Sequence, residues 1–176
     1  MTEPEVSLRI AIYYIQKRKT SQDVEVSIDG AHVKTKDTVH FDVSDFLKEN
    51  GFRKCDGIPT WQGSYQHEDY EARIKVHSRS GEGDVVIVLD ASEILHVESK
   101  KIKSGNGGEY PAMHEAIGQV MTGCPDDRIP VVALPYSEKS HELAQRWLSK
   151  RARMRLAGIH FALVLDNGNI EWVEKK

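Results

Sequence analysis

Residues 85–89 read Val-Val-Ile-Val-Leu. Five apolar residues in a row, four of them β-branched, are too few for a buried helix and leave no polar face for water. They predict a strand covered on both sides. Such a strand needs a sheet with helices on both faces. The neighbouring segments supply one. Ala72, Ile74 and Val76 alternate along a strand near 71–78, and a third strand is expected near 94–102. Met113, Ala116, Ile117, Val120 and Met121 then recur at helical spacing behind Pro111, and Gly123 stops the helix. Ile129–Leu134 is another buried strand. A long helix over 138–156, a strand over 159–165, the turn Asp166-Asn167-Gly168-Asn169 and a last strand at 170–173 close the chain.

The N-terminal quarter reads differently. Val6, Ile10, Tyr13 and Tyr14 predict a helix over 5–19 that ends in Lys17-Arg18-Lys19. The alternation from Asp23 to Val43, broken by Asp29-Gly30, predicts a hairpin. Ser44 suits the cap of a short helix over 44–50, and 53–69 reads as irregular. The expected fold is α/β, a mixed central sheet flanked by helices. It forms one domain over 1–176, the size range of a single compact unit.

Several function classes drop out at this stage. No apolar run approaches the roughly 20 residues that span a bilayer. The N-terminus is polar and acidic, and the two cysteines form no CxxC, so a soluble cytoplasmic protein without a membrane partner is expected. No HExxH, GxSxG, phosphate-binding P-loop or GxGxxG is present. Net charge is -3, yet residues 139–155 carry six basic residues against one acid, Glu142. Arg146, Lys150 and Arg153 share one helical face there, and Arg151 falls on the apolar side. That basic face suits a polyanion or simply solvent.

One constellation carries chemistry. Asp84 opens the apolar strand after the turn Ser80-Gly81-Glu82-Gly83, and the next strand holds Glu98-Ser99-Lys100. Alternation puts Glu98 and Lys100 on one face with Ile94, His96 and Ile102. Charges on such a face are costly unless a site satisfies them. If the two strands are neighbours, Asp84 lies beside Glu98. A divalent cation relieves the repulsion between two carboxylates, and hard oxygen donors with open positions suit Mg²⁺ or Mn²⁺. A lysine beside the metal can handle a water and stabilise developing negative charge, the requirements for hydrolysing a phosphodiester. The plain alternative is a turn-capping Asp84 and a Glu98–Lys100 ion pair at a sheet edge.

Asp84 followed by Glu98-x-Lys100 resembles the PD-(D/E)xK nuclease superfamily, the restriction-endonuclease-like fold. The order helix 44–50, three strands, helix 110–122, strand 129–134 resembles its core, which would cover about 44–136. Residues 1–43 would be N-terminal helix and hairpin additions, and 137–176 a C-terminal helix and hairpin. Position 83 is Gly where the family name has proline. Ala116-Ile117-Gly118-Gln119 is similar to an A-x-G-Q on the helix after E-x-K in several members, although Gln119 lies opposite the apolar stripe.

The resemblance implies an endonuclease with Asp84, Glu98 and Lys100 as catalytic residues. The Mg²⁺ or Mn²⁺ ligands would be Asp84, Glu98 and the Ser99 backbone carbonyl. A further acid is left open among Glu71, Glu49 and Asp45, with Gln119 as another accessory residue. Nucleic acid, DNA by superfamily majority, is the implied partner. Lys101, Lys103, Arg146, Lys150 and Arg153 are candidate contacts, and loop 104–108 is a candidate close approach. Trp61 and Tyr65 suit base stacking or core packing. A homodimer would suit double-strand cleavage. The rival readings are a non-catalytic nucleic-acid-binding or assembly module on the same scaffold, and another α/β fold with an accidental motif.

Overall fold

The computed structural model describes residues 1–81, 83–103, 108–150, 153 and 156–174. Helix α1 covers Glu3–Gln16. It starts at a capping box: the Thr2 hydroxyl accepts the Glu5 N–H, and the Glu5 carboxylate accepts the Thr2 N–H. The basic run Lys17-Arg18-Lys19 lies beyond its end rather than in its last turn. Nine of its residues are buried, because it lies across the middle of a large sheet.

That sheet has nine strands: β1 (Val24–Ser27), β4 (Arg53–Lys54), β5 (Gly63–Gln66), β6 (Arg73–His77), β7 (Val85–Val88), β8 (Ile94–Ser99), β9 (Ile129–Pro135), β10 (His160–Val164) and β11 (Ile170–Trp172). Their order is β11-β10-β9-β8-β7-β1-β6-β5-β4. β8, β9 and β10 run parallel. They are joined by helix crossovers through α4 (Glu109–Gly123) and α5 (Glu138–Lys150). β7 is antiparallel to both β8 and β1. The mixed α/β sheet between helices is therefore present. Alternate residues of β9 show its two faces. Val131 and Ala133 belong to the core under α1, whereas Val132 and Leu134 belong to the core under α4 and α5.

The expected hairpin over 23–43 does not form. Asp29 can open a tight turn or cap a helix, and here it caps: its carboxylate accepts the Ala31 N–H and starts the single turn α2 (Gly30–Val33). β1 instead enters the sheet centre, parallel to β6 and antiparallel to β7. A smaller hairpin, β2 (Lys34–Thr35) with β3 (Thr38–Val39), comes after α2 and pairs with no other strand. The strand over 73–77 is thus separated from β7 by β1. The stretch 53–69 is not wholly irregular, since β4 and β5 extend the sheet edge.

Helix α3 (Val43–Glu49) is capped by Asp42 rather than Ser44, whose hydroxyl bonds the Tyr65 hydroxyl. Tyr65 is buried and donates to the Trp61 carbonyl, so it packs in the core. No helix among the described residues is long and apolar enough to cross a membrane.

Candidate active site

The site is built where β7 and β8 leave their shared register. Val85 stands opposite Val97, the last registered pair. One residue earlier, Asp84 is held by its backbone from both sides: its N–H donates to the Val97 carbonyl at 2.9 Å, and its carbonyl accepts the Ser27 N–H at 2.8 Å. The Asp84 side chain turns back to β8, where its Oδ2 accepts the Ser99 N–H at 2.7 Å. Burial and the charge of Glu98 push the Asp84 carboxyl up to about 7, against the Ser99 N–H and Lys100, which favour the ionised form.

The glycine at 83 has a structural reason. Its φ is +84°, a conformation that side chains disfavour. The His96 ring lies where a Cβ would be, with its nearest atom 2.8 Å away. His96 is fully buried, at 0% exposure, and its Nε2 is 3.3 Å from Glu98 Oε1. Its Nδ1 has no partner among the described residues.

Lys100 lies just past β8 and is buried, with its N–H donated to the Ala133 carbonyl of β9. Its Nζ donates to Glu3 Oε1 at 3.0 Å and lies 3.8 Å from Glu115 Oε1. Burial disfavours its charge, but the hydrogen bond to Glu3 and the charges of Glu3, Asp84 and Glu115 outweigh burial and raise its pKa. Lys100 is therefore an ammonium at neutral pH.

Asp84 lies between two clefts. One of about 530 Å³ is lined by Asp84, Lys100, Glu3, Glu115, Gln119, Lys101 and Lys103, among others. The second, of about 420 Å³, is lined by Asp84 and Glu98 with Ser27, Ser78 and Ser80. Asp29 and Asp84 border both. Gln119 is thus at the site after all: the polar face of α4, away from its buried Met113, Ala116 and Val120, forms a cleft wall.

Other expected residues are elsewhere. Glu49 and Asp45 are exposed on α3, and Glu71 is exposed beside a recess near Thr20 and Asp90; none lines either cleft. The acids that reach the lysine are Glu3, from the first turn of α1, and, at the longer distance of 3.8 Å, Glu115 of α4. The capping box marks where α1 begins, but nothing local signals that this end lies over Lys100. Arg146, Lys150 and Arg153 are exposed and line neither cleft. Arg151 and residues 104–107 of the glycine-rich loop lie outside the described residues. Among the described residues no three His, Cys, Asp or Glu side chains are gathered as a metal-binding group. No family model, curated protein or solved structure matches the chain.

Proposed function

We propose that the protein is a metal-dependent nuclease that hydrolyses nucleic-acid phosphodiester bonds, with DNA as the substrate class that the superfamily resemblance favours. The observation that carries this reading is the meeting of Asp84, Glu98 and Lys100 at adjoining strand ends, with the Asp84 carboxyl pushed up to about 7 by burial and by Glu98. Buried like charges are held together at a cost, and such strain is concentrated at functional sites.

The sheet adds support. Read in order, α1, β1, β7, β8, α4 and β9 form a helix, three antiparallel neighbours, a helix and a parallel strand. That is the order the resemblance calls for. The restriction-endonuclease-like core would then begin at α1, not at residue 44, and residues 28–83 would be an insertion between its first two strands.

The donors suit Mg²⁺ or Mn²⁺. Asp84 and Glu98 are hard oxygen ligands whose mutual repulsion a cation relieves, and the Ser99 carbonyl would be a third donor, leaving positions for water. A bound metal of this kind supplies a water of lowered pKa and neutralises charge on the phosphate. The chain's own residues do the rest. Asp84, fixed by the Ser99 N–H, and Glu98, beside His96, hold their oxygens in place. Lys100, an ammonium fixed by Glu3, donates to the attacking water or to the phosphate oxygen that gains charge. Gln119 faces the same space.

The test is cleavage of a mixed panel of DNA and RNA substrates with Mg²⁺ or Mn²⁺. The wild type should cleave, chelator should stop it, and Lys100→Ala should slow it by roughly 10²–10³-fold, the loss usual for one transition-state donor. Equal cleavage by Lys100→Ala would remove the proposed site. No cleavage by wild type, with salt-sensitive nucleic-acid binding retained, would favour the non-catalytic module instead.

A further inference from the structure

The β2–β3 ribbon is not explained by packing. Residues 34–40 are all exposed, with Val39 at 58%. A ribbon with two residues in each strand has little of its own to hold it. Its anchors are few: Val33 is buried, its carbonyl accepts the N–H groups of His40 and Phe41 at 2.8 and 3.3 Å, and the Thr35 hydroxyl donates to the Ala31 carbonyl at 3.3 Å. At the tip, Lys36 has φ +52°. A hairpin tip in this left-handed region ordinarily takes Gly or Asn. Lysine is disfavoured there. A strained, charged and exposed tip calls for a reason outside the folded chain.

Its position supplies one. His32, just before the ribbon, lines the cleft that holds Asp84 and Lys100. His32, His40 and Lys101 then line a recess of about 210 Å³ beside it. The two ends of the ribbon, at His32 and His40, therefore stand beside the cleft next to Lys101. Lys34, Lys36, Lys101 and Lys103 take part in none of the ion pairs among the described residues. Within the ribbon the one acid is Asp37; on the cleft wall Glu3 and Glu115 are engaged by Lys100, and Asp29 also faces the cleft.

We propose that the ribbon 34–39, with Lys101 and Lys103, grips the sugar–phosphate backbone of a double-stranded nucleic acid entering the cleft. The proposal rests on the nuclease reading for its substrate class. Exposed ammonium groups meet phosphates as point charges, so this grip would be sequence-independent and weakened by salt.

The experiment measures fluorescence anisotropy of a labelled mixed-sequence DNA duplex in EDTA, where cleavage plays no part, over a range of KCl. Lys34→Ala/Lys36→Ala is compared with wild type and with Lys17→Ala/Lys48→Ala, which removes the same charge at exposed positions outside the clefts. The ribbon variant should bind about tenfold more weakly at moderate salt, and the slope of log affinity against log salt should fall by about 2, near 0.9 per lost contact. The control should stay near wild type. Lys36→Gly should weaken binding while its Tm is no lower than wild type, which separates lost contact from lost fold. Ribbon and control variants binding alike would overturn the ribbon and leave the nuclease reading in place. No duplex binding by wild type at about 50 mM salt, where such contacts are strong, would also overturn the ribbon, and the cleavage panel alone decides the nuclease reading.

Discussion

Asp84→Asn is expected to abolish cleavage and, at the same time, to make the folded protein more stable above neutral pH. The two effects share one cause. The folded chain holds this carboxyl with a pKa of about 7, raised by burial and Glu98, whereas an unfolded chain leaves it near 3.9. Between those values the folded state keeps a proton that the unfolded state has lost. Stability therefore falls as pH rises from about 4 to 7 and stays at the lower level beyond. The difference at pH 8 is on the order of 4 kcal/mol, from about three pKa units at about 1.4 kcal/mol each.

Asparagine keeps an oxygen for the Ser99 N–H and has no charge to bury. The variant should thus melt roughly 8–16 °C higher at pH 8, as two to four degrees per kcal/mol predicts for a chain of this size. At pH 4 the two proteins should converge. Added Mg²⁺ or Mn²⁺ should raise the wild-type Tm at pH 8 and leave the variant unmoved. Cleavage should fall by about 10³-fold or more, because the variant loses a charged ligand. Parallel melting profiles for the two proteins from pH 4 to 8 would show that Asp84 is an ordinary carboxylate, and the site would lose its main support.

Gly83→Ala is expected to cost about 2–4 kcal/mol of stability. A side chain at φ +84° is disfavoured by about 1 kcal/mol or more, and forcing a methyl group against the buried His96 ring adds an overpacking cost of about 1–3 kcal/mol. His96→Ala removes the obstacle but leaves the backbone strain. The double variant should therefore be destabilised by less than the sum of the two single changes, with a coupling of about 1–3 kcal/mol measurable by denaturant unfolding. Cleavage by Gly83→Ala should fall about 100-fold, since Asp84 is the next residue and a displacement of about 1 Å is enough for that. Strict additivity of the two stabilities would mean that His96 does not occupy the space beside Gly83.

The contrast between Gly83 and Glu3 shows how far the chain could be read without its fold. Asp84, Glu98 and Lys100 were legible because they stand at fixed offsets in or next to strands whose apolar pattern marks them. Gly83 was legible only as a departure from the family's proline; its reason, the His96 ring, is a contact across two strands. Asp29-Gly30 misled, because an aspartate that opens a tight turn can equally cap a helix, and the choice is made by how residues 31–43 pack. Gln119 stands opposite the apolar stripe of its helix, which argues against a site role on pattern alone. The stripe marks which side of α4 is covered, and it is silent on whether the other side meets open solvent or a cleft.

The sequence by itself determined the α/β class, most of the helices and strands, and the carboxylate–carboxylate–lysine motif, because periods of two and 3.6 residues bind each side chain to one face of its own element. Only the tertiary structure decided that β1 lies between β6 and β7, that Glu3 rather than Glu49 or Glu71 reaches Lys100, and that a lysine-tipped ribbon stands at the cleft. Those are pairings between segments tens of residues apart. They arise from which faces bury together once the loops have closed, and no local period records that outcome.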